Sequence, residues 1–300
     1  MTRATVAAPR FGPQALDRPL RQACARLGVP VTEVELVRAV ANAVFRVPLA
    51  GTILRIASPA GRLERARKTL KVARWLAGIG FPAVRPRDDI AQPLVVGDHV
   101  VTFWDYRCER PGRAGVHEMA YLLRELHGLR PPFALPAWDP LADILENLDD
   151  AEALEPEVRT VIERCCAAVK PRMEKLTFAL EPGVIHGDAY VGNLLRTAGA
   201  PLMLDFDQVC VGPREWDLVP TAVNTLRLGR PCADVRGLAA AYGFDVTAWK
   251  GFDVLRQVRE LTVIAGVAPA LTSRPELAQE FHRRAAGLAS GDLGPWSPYT

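Results

Sequence analysis

Residues 183–207, GVIHGDAYVGNLLRTAGAPLMLDFD, carry the residue types and spacings best suited to chemistry. A short apolar run, Gly183-Val184-Ile185, leads into His186-Gly187-Asp188, and four residues then separate Asp188 from Asn193. Leu194-Leu195 resumes a strand, Thr197-Ala198-Gly199-Ala200 makes a turn, and Leu202-Met203-Leu204 is a second strand that delivers Asp205-Phe206-Asp207. This order places Asp188 and Asn193 at the two ends of one loop, with Asp205 arriving beside them from the paired strand. Two carboxylates and an amide oxygen form a hard oxygen site that suits Mg²⁺, which prefers oxygen ligands and retains waters. The plainer reading is that these carboxylates cap loops and pair with arginines. Spacing, residue type and hairpin together favour the metal reading, because chance rarely supplies all three.

The elements that must position these residues fall into two groups. A helix is expected over residues 14–27, ending before Gly28. Residues 31–37 and 43–57 then alternate apolar and polar at a period near two, with Ala50-Gly51 as a turn, which predicts strands and a β-hairpin. Pro59 and Gly61 end that pattern, and residues 62–77 read as an amphipathic helix. Two short strands follow at 93–96 and 99–104, joined by Gly97-Asp98. Beyond a connector near 104–115 the pattern turns helical, over 116–128, 139–148, 155–175, 214–228, 232–242, 247–267 and 275–289. The single β-rich interruption is residues 183–209. The expected fold class is therefore α+β. Residues 1–105 form a small antiparallel β lobe with one main helix, and residues 106–300 form a larger, mostly helical lobe.

Composition narrows the functional classes. A chain of 300 residues with 49% hydrophobic and 24% charged residues buries a substantial core and is not a disordered tail or a small disulfide scaffold. No stretch of about 18 apolar residues is present to span a membrane. The opening MTRATVAAPR lacks the apolar centre of a signal peptide, and the six cysteines include no C-x-x-C pair. A cytoplasmic protein with reduced thiols is expected. Up to Asp105, sixteen Lys and Arg face eight Asp and Glu, a net +8; after it, twenty-one face twenty-six, a net −5. Either these are two solvated surfaces, or the first part grips a polyphosphate and the second a cationic substrate. No basic stripe interleaved with aromatics supports nucleic-acid binding.

Protein kinases share the grammar of the central motif: H-R-D, then Asn, then D-F-G. Here Gly187 replaces the Arg and Asp207 the final Gly. On VIHGDAYVGNLL, LMLDFD and VGPREWDLVP (211–220), the chain resembles the aminoglycoside phosphotransferase family, with its two-lobed protein-kinase-like fold. That resemblance implies transfer of the γ-phosphoryl group of ATP or GTP to a hydroxyl of a small molecule. It implies Asp188 as catalytic base or hydroxyl-orienting group, Asn193 and Asp205 as Mg²⁺ ligands, and His186 as a brace for the loop. Asp207 would support the metal site from behind its ligands.

The same resemblance assigns the nucleotide to the small lobe. Arg55, in TILRIA, would contact the α- and β-phosphates and can do so bidentately; otherwise it is a solvent-facing strand residue. Asn42, in Ala41-Asn42-Ala43, would lie in the loop over the phosphates, although that loop has no Gly. The helix partner of Arg55 is either Glu64 or absent, since Thr69 and Lys71 stand at the more usual mid-helix place. The segment Thr102 to Tyr106 would bind the base through its backbone, and Phe103, Trp104 and Tyr106 would stack on it. Phe103 and Trp104 read equally well as packing residues.

Trp216 and Asp217 read chiefly as structural, holding a helix that starts at Arg214 against the catalytic loop, and Glu215 and Asp217 in its first turn suit the helix dipole. His99, His117, His127 and His282 show no ligand spacing; His127 ends a helix as a packing or capping residue. The acceptor expected first is a natural-product antibiotic, implying resistance. Choline-like, sugar and amino-alcohol metabolites stay open, and the −5 of the second part favours a cation. The competing reading is a nucleotide-binding pseudokinase or regulatory module without turnover, supported by the missing Gly-rich loop and mid-helix Glu. A metal-dependent hydrolase is weaker, for lack of a histidine-rich ligand set.

Overall fold

Strand alternation builds the first sheet. β2 (Ala43–Val47) and β3 (Thr52–Ala57) each bury every second residue, because successive strand side chains point to opposite faces. In the computed structural model, which describes residues 11–39, 42–58, 62–112 and 114–299, they lie in a five-stranded antiparallel sheet ordered β1-β2-β3-β5-β4. Its other strands are β1 (Glu35–Ala39), β4 (Leu94–Val96) and β5 (His99–Asp105). Phe45, Leu54, Ile56 and Phe103 pack on one face with Leu16 and Ala23 of α1 (Pro13–Leu27). The helix expected after β3 is α2 (Leu63–Gly78). The opening ten residues, Ala41, Pro59 and Gly61 lie outside the described residues.

Two sequence expectations shift here. Residues 31–34 are not strand: Val31–Glu33 forms a 3-10 turn closed by Glu33 N–H to Pro30 O and Val34 N–H to Val31 O. These local bonds use the donors a ladder would need, so β1 starts at Glu35. The hairpin turn is also longer than Ala50-Gly51. Pro48–Ala50 makes a 3-10 turn, and Gly51 closes it at φ +56°, a conformation that costs glycine no Cβ clash.

The chain divides into two units, Met1–Glu109 and Arg110–Thr300. The second holds α3 (Val116–Gly128), α4 (Pro140–Asp149), α5 (Pro156–Glu174), α6 (Val219–Leu228), α7 (Cys232–Tyr242), α8 (Phe252–Ala265) and α9 (Ala278–Ser290). Two small antiparallel ribbons sit among them: β6 (Gly183–Ile185) pairs with β9 (Cys210–Gly212), and β7 (Leu194–Leu195) with β8 (Leu202–Met203). The helix expected over 214–228 is split into a 3-10 turn, Arg214–Leu218, and α6. Pro220 in the first turn of α6 explains the split: it has no N–H to continue a helix from the preceding turn, and first-turn positions tolerate that loss. No described helix is long and apolar enough to cross a membrane.

Candidate active site

β6 delivers His186-Gly187-Asp188 into a loop fixed from behind by one buried carboxylate. Asp217 Oδ2 accepts the His186 N–H at 2.6 Å and Oδ1 the Gly187 N–H at 2.8 Å. His127 Nε2, at the end of α3, meets Asp217 Oδ2 at 3.0 Å, and its Nδ1 meets the Tyr242 hydroxyl at 2.7 Å. Trp216 Nε1 donates to Gly187 O at 2.8 Å. A carboxylate buried to 1% exposure is costly without such partners. Burial pushes the Tyr242 phenol up to about 12, so it keeps its proton.

Asp217 and Trp216 thus tie the Arg214–Leu218 turn to the loop, the structural role the sequence assigned them, while Glu215 does more than complement a helix dipole. Glu215 is fully buried, and its Oε1 accepts the Ala179 and Leu180 N–H groups at 2.6 and 2.8 Å. Gly187 has φ +84°, and a Cβ there would stand 2.4 Å from Gln208 O. That close approach is why the arginine of the H-R-D pattern has no room at this position.

Beyond this anchor the loop turns its chemistry outward. Asn193 Nδ2 donates to the Asp188 backbone carbonyl at 2.8 Å and to Oδ2 at 3.2 Å, so the two ends of the loop meet as the spacing predicted. His186 accepts the Asp188 N–H on Nδ1 at 3.3 Å and donates from Nε2 to Leu204 O at 2.8 Å. The Leu204 N–H donates to Asn193 O at 2.9 Å. These bonds hold Asp205, the next residue, beside the loop. Asp205 adopts φ +62°, the one described non-glycine residue at positive φ. Such strain persists where surrounding structure enforces it, and it clusters at functional positions. Phe206 is fully buried and anchors the turn.

One partner of Asp188 was invisible in the sequence pattern. Arg259 on α8 donates from Nη2 to Asp188 Oδ1 at 2.6 Å. Burial opposes ionisation of Asp188, but the charge and hydrogen bond of Arg259, with help from His186 and Asn193, hold its carboxyl below the usual range. α8 is itself pinned by a buried charge cluster: Glu260 accepts from Arg227 at 2.7 Å and from Arg256 at 2.9 and 3.0 Å. Glu260→Ala removes the carboxylate that two mostly buried arginines share, and a loss of about 3 kcal/mol in unfolding free energy is expected by denaturant titration.

Metal fit turns on donor chemistry. Among the described residues no three His, Cys, Asp or Glu side chains converge as a metal cluster. Mg²⁺ does not require one: it is commonly held by one or two protein oxygens, with phosphates and waters completing its shell. Asn193 Nδ2 is committed to Asp188, so its amide would offer Mg²⁺ its oxygen, and Asp205 would offer a carboxylate. The pair fits Mg²⁺ bound with a polyphosphate.

In the first unit, Arg55 lies on β3 between Leu54 and Ile56, so it points to the sheet face opposite their core. In register it stands opposite Val44 and Thr102. Asn42 is half-buried just before β2. Glu64 pairs with Arg67 at 2.6 Å on the exposed first turn of α2. Phe103 takes the packing role of its two readings and does not stack on a base: it lies within β5, and its fully buried ring is part of the sheet core, so no face is left for a base. Trp104 is also in β5, buried on the other face, with Nε1 donating to Thr102 Oγ1 at 2.9 Å. The Tyr106 ring carries the Arg46 guanidinium 4.6 Å from its centroid. The backbone N–H groups of Phe103, Asp105 and Tyr106 already donate to Gln92 Oε1, Arg85 O and Gly51 O.

Residues 33–261 match the family described as the phosphotransferase enzyme family. The chain belongs to that family. No curated protein matches this phosphotransferase. Solved structures similar to it include an amicoumacin kinase in complex with AMP-PNP, Ca²⁺ and Ami, at 14% identity and TM-score 0.67, covering 96% of each chain. A microcompartment-associated aminopropanol kinase shares 19% identity over 90% of this chain and 94% of its own, with TM-score 0.63. Aminoglycoside phosphotransferase APH(3'')-Id from Streptomyces rimosus shares 18% over 83% of this chain and 98% of its own, with TM-score 0.60. At these identities the likeness is one of fold, and it is the protein-kinase-like fold that the motifs implied. The phosphotransferase residues that sequence reasoning passed over are Arg259 and Tyr242, and His127, read as a packing or capping residue, instead bonds Asp217 and Tyr242. Only the HGD and REWD segments themselves pointed toward their neighbourhood.

Proposed function

We propose that this phosphotransferase moves the γ-phosphoryl group of ATP or GTP to a hydroxyl of a small antibiotic-like or metabolite acceptor, with Mg²⁺. The observation that carries the reading is Asp188. Its side chain is 33% exposed at one end of a loop whose backbone is locked by Asp217 and Trp216 and whose other end, Asn193, bonds back to it. A carboxylate so placed orients an acceptor hydroxyl and takes its proton as the oxygen–phosphorus bond forms and the bond to the departing nucleotide diphosphate breaks. Asn193 Oδ1 and Asp205 would hold the ion. When bound, Mg²⁺ neutralises charge on the phosphate oxygens. Arg55 would grip the α- and β-phosphates, and Trp104 and Tyr106 would lie toward the base. Catalysis of this kind is mainly positioning and charge stabilisation, which suits a site built from braces.

A second reading, a nucleotide-binding module without turnover, draws on Glu64, whose partner is Arg67. One experiment separates the two. The protein is incubated with ATP or GTP, Mg²⁺ and a panel of hydroxyl compounds, and products are read by mass spectrometry. Gain of one phosphoryl group, abolished by chelating the metal, is expected. Nucleotide binding without transfer to any acceptor would favour the module.

A further inference from the structure

Arg259 is not needed to build the loop, since Asp217, Trp216 and Asn193 already do so. It nevertheless reaches from α8, 71 residues further along the chain, to the oxygen of the group that would meet the acceptor. Its side chain is 9% exposed, yet among the described residues only one of its N–H groups is engaged. A guanidinium offers five donors in a planar fork. The buried polar atoms left without a partner include Arg46 Nε and Arg214 Nε but none of Arg259. Its spare donors therefore keep access to solvent next to Asp188.

No other carboxylate on α8 is available to it. Asp253 is paired with Arg256 at 2.5 Å and Arg172 at 3.4 Å, and Glu260 with Arg227 and Arg256. A hydroxyl that settles on Asp188 is thus presented beside a fixed positive fork whose free edge wants an oxyanion. An ammonium in the same place would face like charge at close range, an arrangement that disfavours cationic competitors. The net negative charge of the second part of the chain pointed the other way, but net charge does not describe one site.

We infer that Arg259 is an acceptor-specificity residue, and that the acceptor carries an oxyanion, a carboxylate or a phosphate, within a few bonds of the hydroxyl that receives the phosphoryl group. Arg259 binds that oxyanion bidentately while Asp188 receives the hydroxyl. This rests on the phosphotransferase reading above and narrows its acceptor class. The transfer itself is unchanged: the acceptor oxygen bonds to the γ-phosphorus, the bond to the nucleotide diphosphate breaks, and the hydroxyl proton passes to Asp188.

Matched acceptors test it. L-homoserine is compared with its decarboxylated counterpart 3-amino-1-propanol, glycerate with ethylene glycol, and glycerol 3-phosphate with glycerol. Each is assayed with wild type, Arg259→Gln and Arg259→Lys, and KM and kcat are read separately. The expected result is a wild-type preference of about tenfold or more in kcat/KM for an anionic member, the size of a charge-assisted hydrogen bond. Whether the carboxylate or the phosphate arm shows it identifies the source. Arg259→Gln should remove the preference mainly through KM, and Arg259→Lys should restore part of it. Wild-type preference for the uncharged or amino-alcohol members overturns the inference and leaves the phosphotransferase reading standing. So does an Arg259→Gln defect that falls equally on both members of a pair. Absence of transfer to every compound also overturns it, and absence of any Asp188-dependent nucleotide turnover as well removes the reading beneath it. The wild-type comparison decides the matter even where a variant fails to fold.

Discussion

Asp188→Asn should lower phosphoryl transfer by about 10²- to 10⁴-fold, the range attributed to a positioned acid or base, while leaving the unfolding transition close to that of wild type. Asparagine has the same shape, and its Oδ1 can still accept from Arg259, so the ion pair is weakened rather than emptied. The loop does not depend on the Asp188 carboxylate, because Asp217 and Trp216 hold its backbone. Initial rates, a thermal melt and nucleotide affinity on the same preparation separate a chemical defect from a folding one. Transfer within a few-fold of wild type would remove Asp188 from its role.

The pH profile gives an independent check. The folded carboxyl of Asp188 lies below the ordinary value, burial being outweighed by Arg259. Its ionised form, and the stability the pair contributes, are therefore present above the unfolded value and are lost only as pH falls through the lower folded one. Removing Arg259 should move the acid limb of activity toward higher pH.

Why Asp188, Asn193 and Asp205 were legible while Arg259 was not is a matter of sequence distance. The three lie on or beside one hairpin, so spacing along 18 residues of chain constrains how near they come. Arg259 comes from a separate helix in a chain rich in arginine, where periodicity marks the buried face but does not say which neighbour an arginine meets. The same limit hid His127. Its place at a helix end suggested packing or capping, whereas its imidazole links Tyr242 of α7 to Asp217.

The fold was legible wherever local patterns were long. α3 runs over the residues its apolar spacing marked, and the five-stranded sheet follows from alternation. β9 was missed because three residues are too few to show a period, and it exists by pairing with β6. Phe103 and Trp104 show the converse. An aromatic pair near a lobe boundary suggested a base platform, but alternation in β5 sends Phe103 into the core and Trp104 to the opposite face.

Asp217→Ala should damage both stability and turnover. Three donors converge on this side chain, two of them backbone N–H groups of the loop itself: His186 at 2.6 Å, Gly187 at 2.8 Å and His127 at 3.0 Å. Alanine leaves all three in a region closed to water. A buried donor without a partner costs about 1–3 kcal/mol, so the sum, reduced by partial relaxation, is expected to be about 3–5 kcal/mol. Asn is no remedy, because its amide presents one acceptor and one donor to a site that offers only donors. Trp216→Phe, by contrast, removes one bond, to Gly187 O, and should cost about 1 kcal/mol. Released from Asp217, Gly187 no longer fixes the direction of Asp188, and an ångström of misplacement is enough to reduce turnover by about 10²-fold. Denaturant midpoints and kcat for Asp217→Ala, Asp217→Asn and Trp216→Phe should therefore fall in two classes. Near-equal values for Asp217→Ala and Trp216→Phe would show that the carboxylate does not carry the loop.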